Sequence, residues 1–238
     1  MRLIVTTLGF ILCVLISASI VRPTLAQQTA AAGQTSTPTE DKFVYADFER
    51  MQNGRAVSNN GGLVQLFAAQ ESTPVTFKGM ADAPNAPELV RAKGDEKNHL
   101  ATFAYTLVGP NQWANVTLEI QGHPAQDQKP VADDLSAYKS MSIQLYATGS
   151  EYVRIEFISH GQGIKLDAGF PQIPLKLKPG LNTYLIPLKN LQQPSWVQER
   201  VNTKDVLKGL TAVSISAYCN ECTPLSGTIV VDNLVFQK

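Results

Sequence analysis

Three histidines, three cysteines and two tryptophans in 238 residues leave little from which to build a metal centre or a histidine-driven active site. The histidines, His99, His123 and His160, stand far apart in the chain, and an isolated histidine is more often a satisfied core or surface residue than a catalyst. No Gly-x-Ser-x-Gly elbow, His-Glu-x-x-His helix or phosphate-cradling glycine loop occurs, so the patterns for those chemistries are missing. An Asp-x-Asp-x-Asp-Gly loop is also missing, which excludes an EF-hand. Nor is there an excess of either charge, with 20 basic residues against 20 acidic ones. Such a chain offers no electrostatic footprint for nucleic acid or an anionic membrane surface.

One long apolar run is present, and it lies at the start. Arg2 precedes Leu3 to Ile20, and Thr24-Leu25-Ala26 supplies the small residues of a cleavage site before Gln27. Residues 1–26 therefore read as a secretory signal, which predicts a secreted or periplasmic protein with no membrane contact after cleavage. The run just reaches the roughly 18-residue minimum of a membrane span, so an uncleaved anchor is the alternative. Cys13 sits inside this run behind Leu12, which does not suit lipid attachment. Residues 27–42 are mostly Gln, Thr and Ala, with Gly, Pro, Ser and three charged residues at the end and no apolar periodicity, a composition that cannot offset its ordering entropy and predicts a flexible linker. Residues 43–238 then form a domain large enough to bury one core. Loss of Arg2 and Arg22 with the signal leaves 18 basic against 20 acidic residues, a net charge of −2.

Two cysteines survive cleavage, Cys219 and Cys222, within Tyr-Cys-Asn-Glu-Cys-Thr-Pro. Two ligands do not close a structural zinc site. Thr223-Pro-Leu-Ser-Gly227 follows where a thioredoxin-type motif would need a helix. A local disulfide in an oxidising compartment is the expectation, and closing so short a loop contributes only about 2 kcal/mol.

Beyond the linker the chain is written in β-alternation. Strands are predicted at 43–49, 63–67, 75–78, 99–107, 115–121, 140–147, 152–159, 173–177, 182–187, 212–218 and 228–237. Asn59-Asn-Gly-Gly62 and Pro179-Gly180 mark turns. Thr203 to Gly209 reads as a two-turn helix, with Thr203 as N-cap and Gly209 as its stop. Many short strands and one or two short helices predict an all-β fold, a jelly-roll β-sandwich of two antiparallel sheets.

The segments 141–146 and 152–157 carry the strongest functional signal. Met141, Ile143, Leu145, Val153, Ile155 and Phe157 alternate with Ser142, Gln144, Tyr146, Tyr152, Arg154 and Glu156. The first set predicts a buried face. The second is either a solvated sheet surface or a platform for a polar ligand such as a sugar. A pyranose has a flat C–H face that an aromatic ring accepts and a rim of hydroxyls for amide, guanidinium and carboxylate groups. Gln144, Tyr146, Tyr152, Arg154 and Glu156 supply that set. Trp113 and Trp196 stand in loop-like surroundings, each either a plug beneath a loop or an exposed stacking plate. Glu119 with Glu156, on neighbouring strands, would give the two carboxylates a glycosidase needs, a minor alternative without a deep cleft. Asn115-Val-Thr117 matches a glycosylation sequon, but its alternation places it on a strand.

Several segments together resemble a known family. They are Tyr45-Ala-Asp-Phe-Glu49, Ala104-Tyr-Thr-Leu107 with Trp113-Ala-Asn-Val116, Asp134-Leu-Ser-Ala-Tyr138, Asn182-Thr-Tyr-Leu-Ile-Pro187 and Gly227-Thr-Ile-Val-Val-Asp-Asn-Leu-Val-Phe236. In this order they are similar to a galactose-binding-like jelly roll, near family 11 carbohydrate-binding modules and the domain of complex I intermediate-associated proteins. The resemblance covers 44–236. It implies a non-catalytic module that binds a polysaccharide or cell-surface glycan, and it implies that Trp113 packs inward at the opening of a strand. It also implies a structural calcium ion held by Asp47, Glu49 and Asp232. The alternative is that Asp47 and Asp232 hydrogen-bond neighbouring amides while Glu49 pairs with Arg50 or Lys78. The alternative for the domain is a structural or protein-interaction role, with another secreted protein as partner.

Overall fold

The computed structural model describes residues 41–69, 75–108, 114–127, 129–160, 169–219 and 224–238. The expected signal and nearly all of the linker lie outside these residues, as do Trp113 and Cys222. In chain order the strands are β1 (Lys42–Ala46), β2 (Met51–Gln52), β3 (Arg55–Ala56), β4 (Val64–Ala68), β5 (Val75–Lys78), β6 (Glu88–Ala92), β7 (Asp95–Leu107) and β8 (Ala114–Gln121). They continue as β9 (His123–Pro124), β10 (Pro130–Val131), β11 (Ser140–Ala147), β12 (Tyr152–Ser159), β13 (Gln172–Lys176), β14 (Asn182–Pro187), β15 (Leu210–Cys219) and β16 (Leu225–Gln237). Among the described residues helix is confined to a 3-10 turn at Leu188–Asn190 and to α1 (Thr203–Lys208). Asn202, not Thr203, caps α1, its side-chain oxygen accepting the Lys204 N–H, and Gly209 ends it as expected.

Two antiparallel sheets make the jelly-roll sandwich. One has seven strands in the order β14-β11-β16-β7-β5, with β1 added to β16 and β6 to β7; the other has five, β13-β12-β15-β8-β4. Alternation explains the core directly. Met141, Ile143 and Leu145 of β11, Val153, Ile155 and Phe157 of β12, and Val116, Leu118 and Ile120 of β8 are all fully buried between the sheets. Phe236 is the aromatic centre, meeting Tyr45 at 5.7 Å and 71°, Tyr138 at 6.2 Å and 63°, and Phe157 at 6.4 Å and 80°. Such edge-to-face contacts add to area burial, and truncating a buried phenylalanine costs about 3–5 kcal/mol. The Tyr45 hydroxyl donates to the Ile120 carbonyl 3.3 Å away, so this buried phenol is satisfied. Burial pushes its pKa well above the ordinary phenol value.

Two sequence expectations change here. The first strand stops at Ala46, because Phe48 is buried with φ at +57°, a backbone region that costs a bulky residue about 1–3 kcal/mol. Asp47 supports the turn, its two oxygens accepting the Glu49 N–H and the Asn59 amide. Asp47 and Glu49 thus lie in a turn and not on one strand face.

The second concerns β11 and β12. They are not hairpin partners: β11 pairs with β14 and β16 in the seven-stranded sheet, and β12 pairs with β13 and β15 in the other. The connection crosses the sandwich through Gly149, whose φ is +83° and where a Cβ would sit 2.3 Å from the Ser226 carbonyl.

Candidate functional site

The crossing divides the expected platform. Gln144 and Tyr146 belong to the outer face of the seven-stranded sheet, while Tyr152, Arg154 and Glu156 belong to the outer face of the five-stranded one. The two groups are separated by the whole core and do not form one surface.

The five-stranded face gains partners that alternation alone does not reveal. Residues directly opposite in antiparallel strands share a face. One row therefore runs Gln172, Glu156, Ser214, Glu119, Gln65, and the next runs Pro174, Arg154, Ser216, Thr117, Phe67. Tyr218 opposes Asn115, and Ala212 opposes Gln121. The middle strand, β15, presents only Ala212, Ser214 and Ser216 along most of this face, each almost wholly buried. Its neighbours present long polar side chains. The result is a furrow above β15, flanked by Arg154 and Glu156 on one side and by Thr117, Glu119 and Gln121 on the other. Strand spacing sets its width at about 9–10 Å between flanking backbones.

Polar atoms in the furrow are unevenly satisfied. Thr117 and Ser216 hydroxyls meet at 2.7 Å, and Gln121 donates to Glu119 at 3.4 Å. The Arg154 guanidinium lies 5.1 Å over the Tyr218 ring, a cation–π arrangement. Arg154 Nε lies 3.4 Å from Glu156 Oε1, an ion pair by distance, yet this buried Nε makes no hydrogen bond, and neither does the buried Oε1 of Gln172 on the adjacent strand. Burial raises the pKa of Glu156, against the lowering effect of Arg154, and Glu119 adds to the rise. Burial likewise raises Glu119, opposed by the Gln121 hydrogen bond and by His160. Tyr152 lies at the open edge, 41% exposed, with Lys176 Nζ 5.7 Å over its ring.

Sequence reasoning thus placed Tyr152, Arg154 and Glu156 on one face but did not place Tyr218, Phe67, Gln65 and Gln172 beside them. It weighed Glu119 only as half of a hydrolase pair, and the structure places it one strand further from Glu156 than expected, with Ser214 between them. The sequon lies on β8, where Thr117 turns to Ser216. Trp196 is 57% exposed, beside Gly169 at the approach to β13. Cys219 is disulfide-bonded.

Asp47, Glu49 and Asp232 do converge, since both other acids act on Asp232 to raise its pKa, secondary to burial. Their oxygens are already engaged. Glu49 takes the His99 N–H and meets His99 Nδ1 at 2.7 Å. Asp232 accepts from the Asn98 amide and from the backbone and side chain of Asn233. With Asp47 also doubly bonded, all six carboxylate oxygens accept N–H groups, and the described residues hold no cluster of three metal-ligating side chains. As arranged, the acids do not fit the oxygen cage that calcium takes. They tie the turn after β1 to β7 and β16.

No family model matches the chain, and no curated protein matches it. Solved structures do. A family 11 carbohydrate-binding module from Clostridium thermocellum, in complex with a β-1,3-1,4-mixed-linked tetrasaccharide, superposes with a TM-score of 0.52 at 15% identity, over 82% of this chain and 95% of that one. The family 11 module of the cellulosomal cellulase Lic26A-Cel5E of Clostridium thermocellum gives 0.52 at 15% identity, over 82% and 94%. The chain folds as a jelly roll of the kind seen in family 11 modules, and that likeness speaks to the fold alone.

Proposed function

We propose that the furrow over β15 binds a polysaccharide chain in an exported protein that performs no chemistry on it. What carries this reading is the floor of small side chains on β15 between rows of long polar ones, with two buried atoms beside it that make no hydrogen bond, Arg154 Nε on β12 and Gln172 Oε1 on β13. A buried donor or acceptor without a partner costs about 1–3 kcal/mol. Sugar hydroxyls both donate and accept, so one ligand type can satisfy both atoms. Tyr218, held under the Arg154 guanidinium, and Tyr152 at the start of β12 offer rings for the C–H faces, and a chain laid along the furrow displaces the long side chains that now cover its small floor. Gln144 and Tyr146 stand outside this proposal because they face the other way.

The groove is read as non-catalytic from its electrostatics. Glycoside hydrolysis needs one carboxyl poised as acid and the other ionised, that is, environments that push the two pKa values apart. Burial pushes Glu119 and Glu156 in the same direction.

The test is affinity electrophoresis of the protein through gels containing mixed-linkage β-glucan, xylan, mannan or pectin. Mixed-linkage glucan comes first because a fold neighbour is recorded with such a tetrasaccharide. Retardation by one polymer with no release of reducing ends is the expected result. Unretarded migration in every gel would overturn the proposal.

A further inference from the structure

A hollow of about 630 Å³ opens away from the furrow, where β11 begins, β14 ends and α1 starts. Its floor is apolar: the buried side chains of Tyr138, Leu188 and Leu207. Its rim carries the exposed Lys139, Lys189 and Lys204. No acidic residue lines it, and among the described residues none of these three lysines forms an ion pair. The nearest acids in sequence are Asp205, beside Lys204 in the first turn of α1 but outside the lining, and Asp134, which spends an oxygen on the Ser136 N–H and hydroxyl.

Three ammonium groups without carboxylate partners, in a chain that balances 20 basic against 20 acidic residues, concentrate positive charge at one place. Each brings three donors and no acceptor, so the rim recognises acceptors of negative charge. The floor adds a second requirement. A bare inorganic anion would leave its apolar surface wet, whereas an organic anion with a flat hydrocarbon face covers it. The volume is that of a small-molecule site, within the usual range of about 300–1,000 Å³.

We propose that this hollow binds an organic anion that carries two or more carboxylates and an apolar face, supplied by uronate units of an acidic oligosaccharide. The anion site stands on the lysines and the floor alone; the saccharide source rests on the polysaccharide reading of the furrow.

The test is calorimetric titration of the protein with trigalacturonate at low salt and at about 0.15 M, where charges are screened beyond about 8 Å. Saturable binding is expected, weakened about tenfold or more by the double substitution Lys189→Glu/Lys204→Glu and weakened by salt. Arg154→Ala should leave it unchanged, and the lysine double variant should leave β-glucan retardation unchanged, so failure of the furrow and failure of the hollow are read separately. Benzene-1,3,5-tricarboxylate provides the non-sugar arm: if it binds and trigalacturonate does not, the saccharide source is overturned. Binding of neither anion, or binding indifferent to the lysine substitutions, overturns the site. Equal competition by inorganic phosphate would overturn the role of the apolar floor.

Discussion

The two outer faces of the sandwich are built from the same alternating pattern and differ, among the described residues, in whether their buried polar atoms find hydrogen bonds. On the seven-stranded face, Ser142 donates to the Val235 carbonyl and accepts from Gln237, Thr102 donates to the Ile229 carbonyl, and Thr106 meets Ser226 at 3.1 Å. The side chains between them include apolar ones, with Leu185 and Val235 flanking Ser142 in one row. On the five-stranded face the central strand is trimmed to Ala and Ser, and Arg154 Nε and Gln172 Oε1 are buried without a hydrogen bond. A sheet face that completes its own hydrogen bonds asks nothing of a ligand. One that keeps polar atoms buried and unpaired stores a cost that a ligand can relieve.

The largest effect is expected from Arg154→Ala, which removes both the donor that makes no hydrogen bond and the guanidinium over Tyr218. Retardation by the recognised polymer should fall more than tenfold, a loss of about 1.4 kcal/mol or more, with the melting temperature little changed. Tyr146→Ala on the opposite face is the matched control and should leave retardation as it was. Equal loss from both variants would erase the distinction between the faces.

A smaller effect follows from filling the furrow. Ser214→Leu sets a branched side chain on the floor between Glu156 and Glu119, and retardation should fall several-fold. Ser142→Leu makes the same change on the other face and should not alter it. Circular dichroism melts of both variants check that the sandwich still forms.

Much of this was legible in the sequence, for a reason that also explains the main error. Inward residues of β11 and β12 read correctly because period-2 alternation reports which residues share a face. It does not report which sheet the face belongs to. A hairpin and an arch across a sandwich give the same pattern, and Gly149 serves a turn of either kind. Hence Met141 to Leu145 and Val153 to Phe157 were placed rightly in the core, while their polar partners were joined into one platform that does not exist. Asp47 and Glu49 were misplaced for a different reason. The apolar spacing of 43–49 continues past Ala46, but Phe48 reaches the core from a left-handed turn, which spacing cannot distinguish from a strand. Tyr218, Gln172 and Gln65 escaped notice because strand order is set by long-range pairing, and no local signal in a single sequence records it.

The smallest effect concerns the charge on the furrow, and its sign is fixed by the direction in which Glu119 and Glu156 are shifted. Both carboxyls have folded-state pKa values raised by burial. A raised acid favours the folded state fully when pH lies below its ordinary value, and that contribution is lost as pH rises through the raised folded value. Above those raised values each ionised carboxylate is held at some expense in stability. Glu119→Gln removes that expense and keeps an oxygen able to accept from Gln121. The variant should melt a few degrees above the parent at pH 7 and level with it at pH 4, measured by calorimetry as the difference between the two proteins at each pH. The reverse substitution on the other face, Gln144→Glu, should show no such gain, because it adds a charge instead of removing a buried one. If Glu119→Gln melts lower than the parent at pH 7, the carboxylate is stabilised by its surroundings, and the furrow resembles the satisfied face more than the ligand-seeking surface that its unpaired atoms describe.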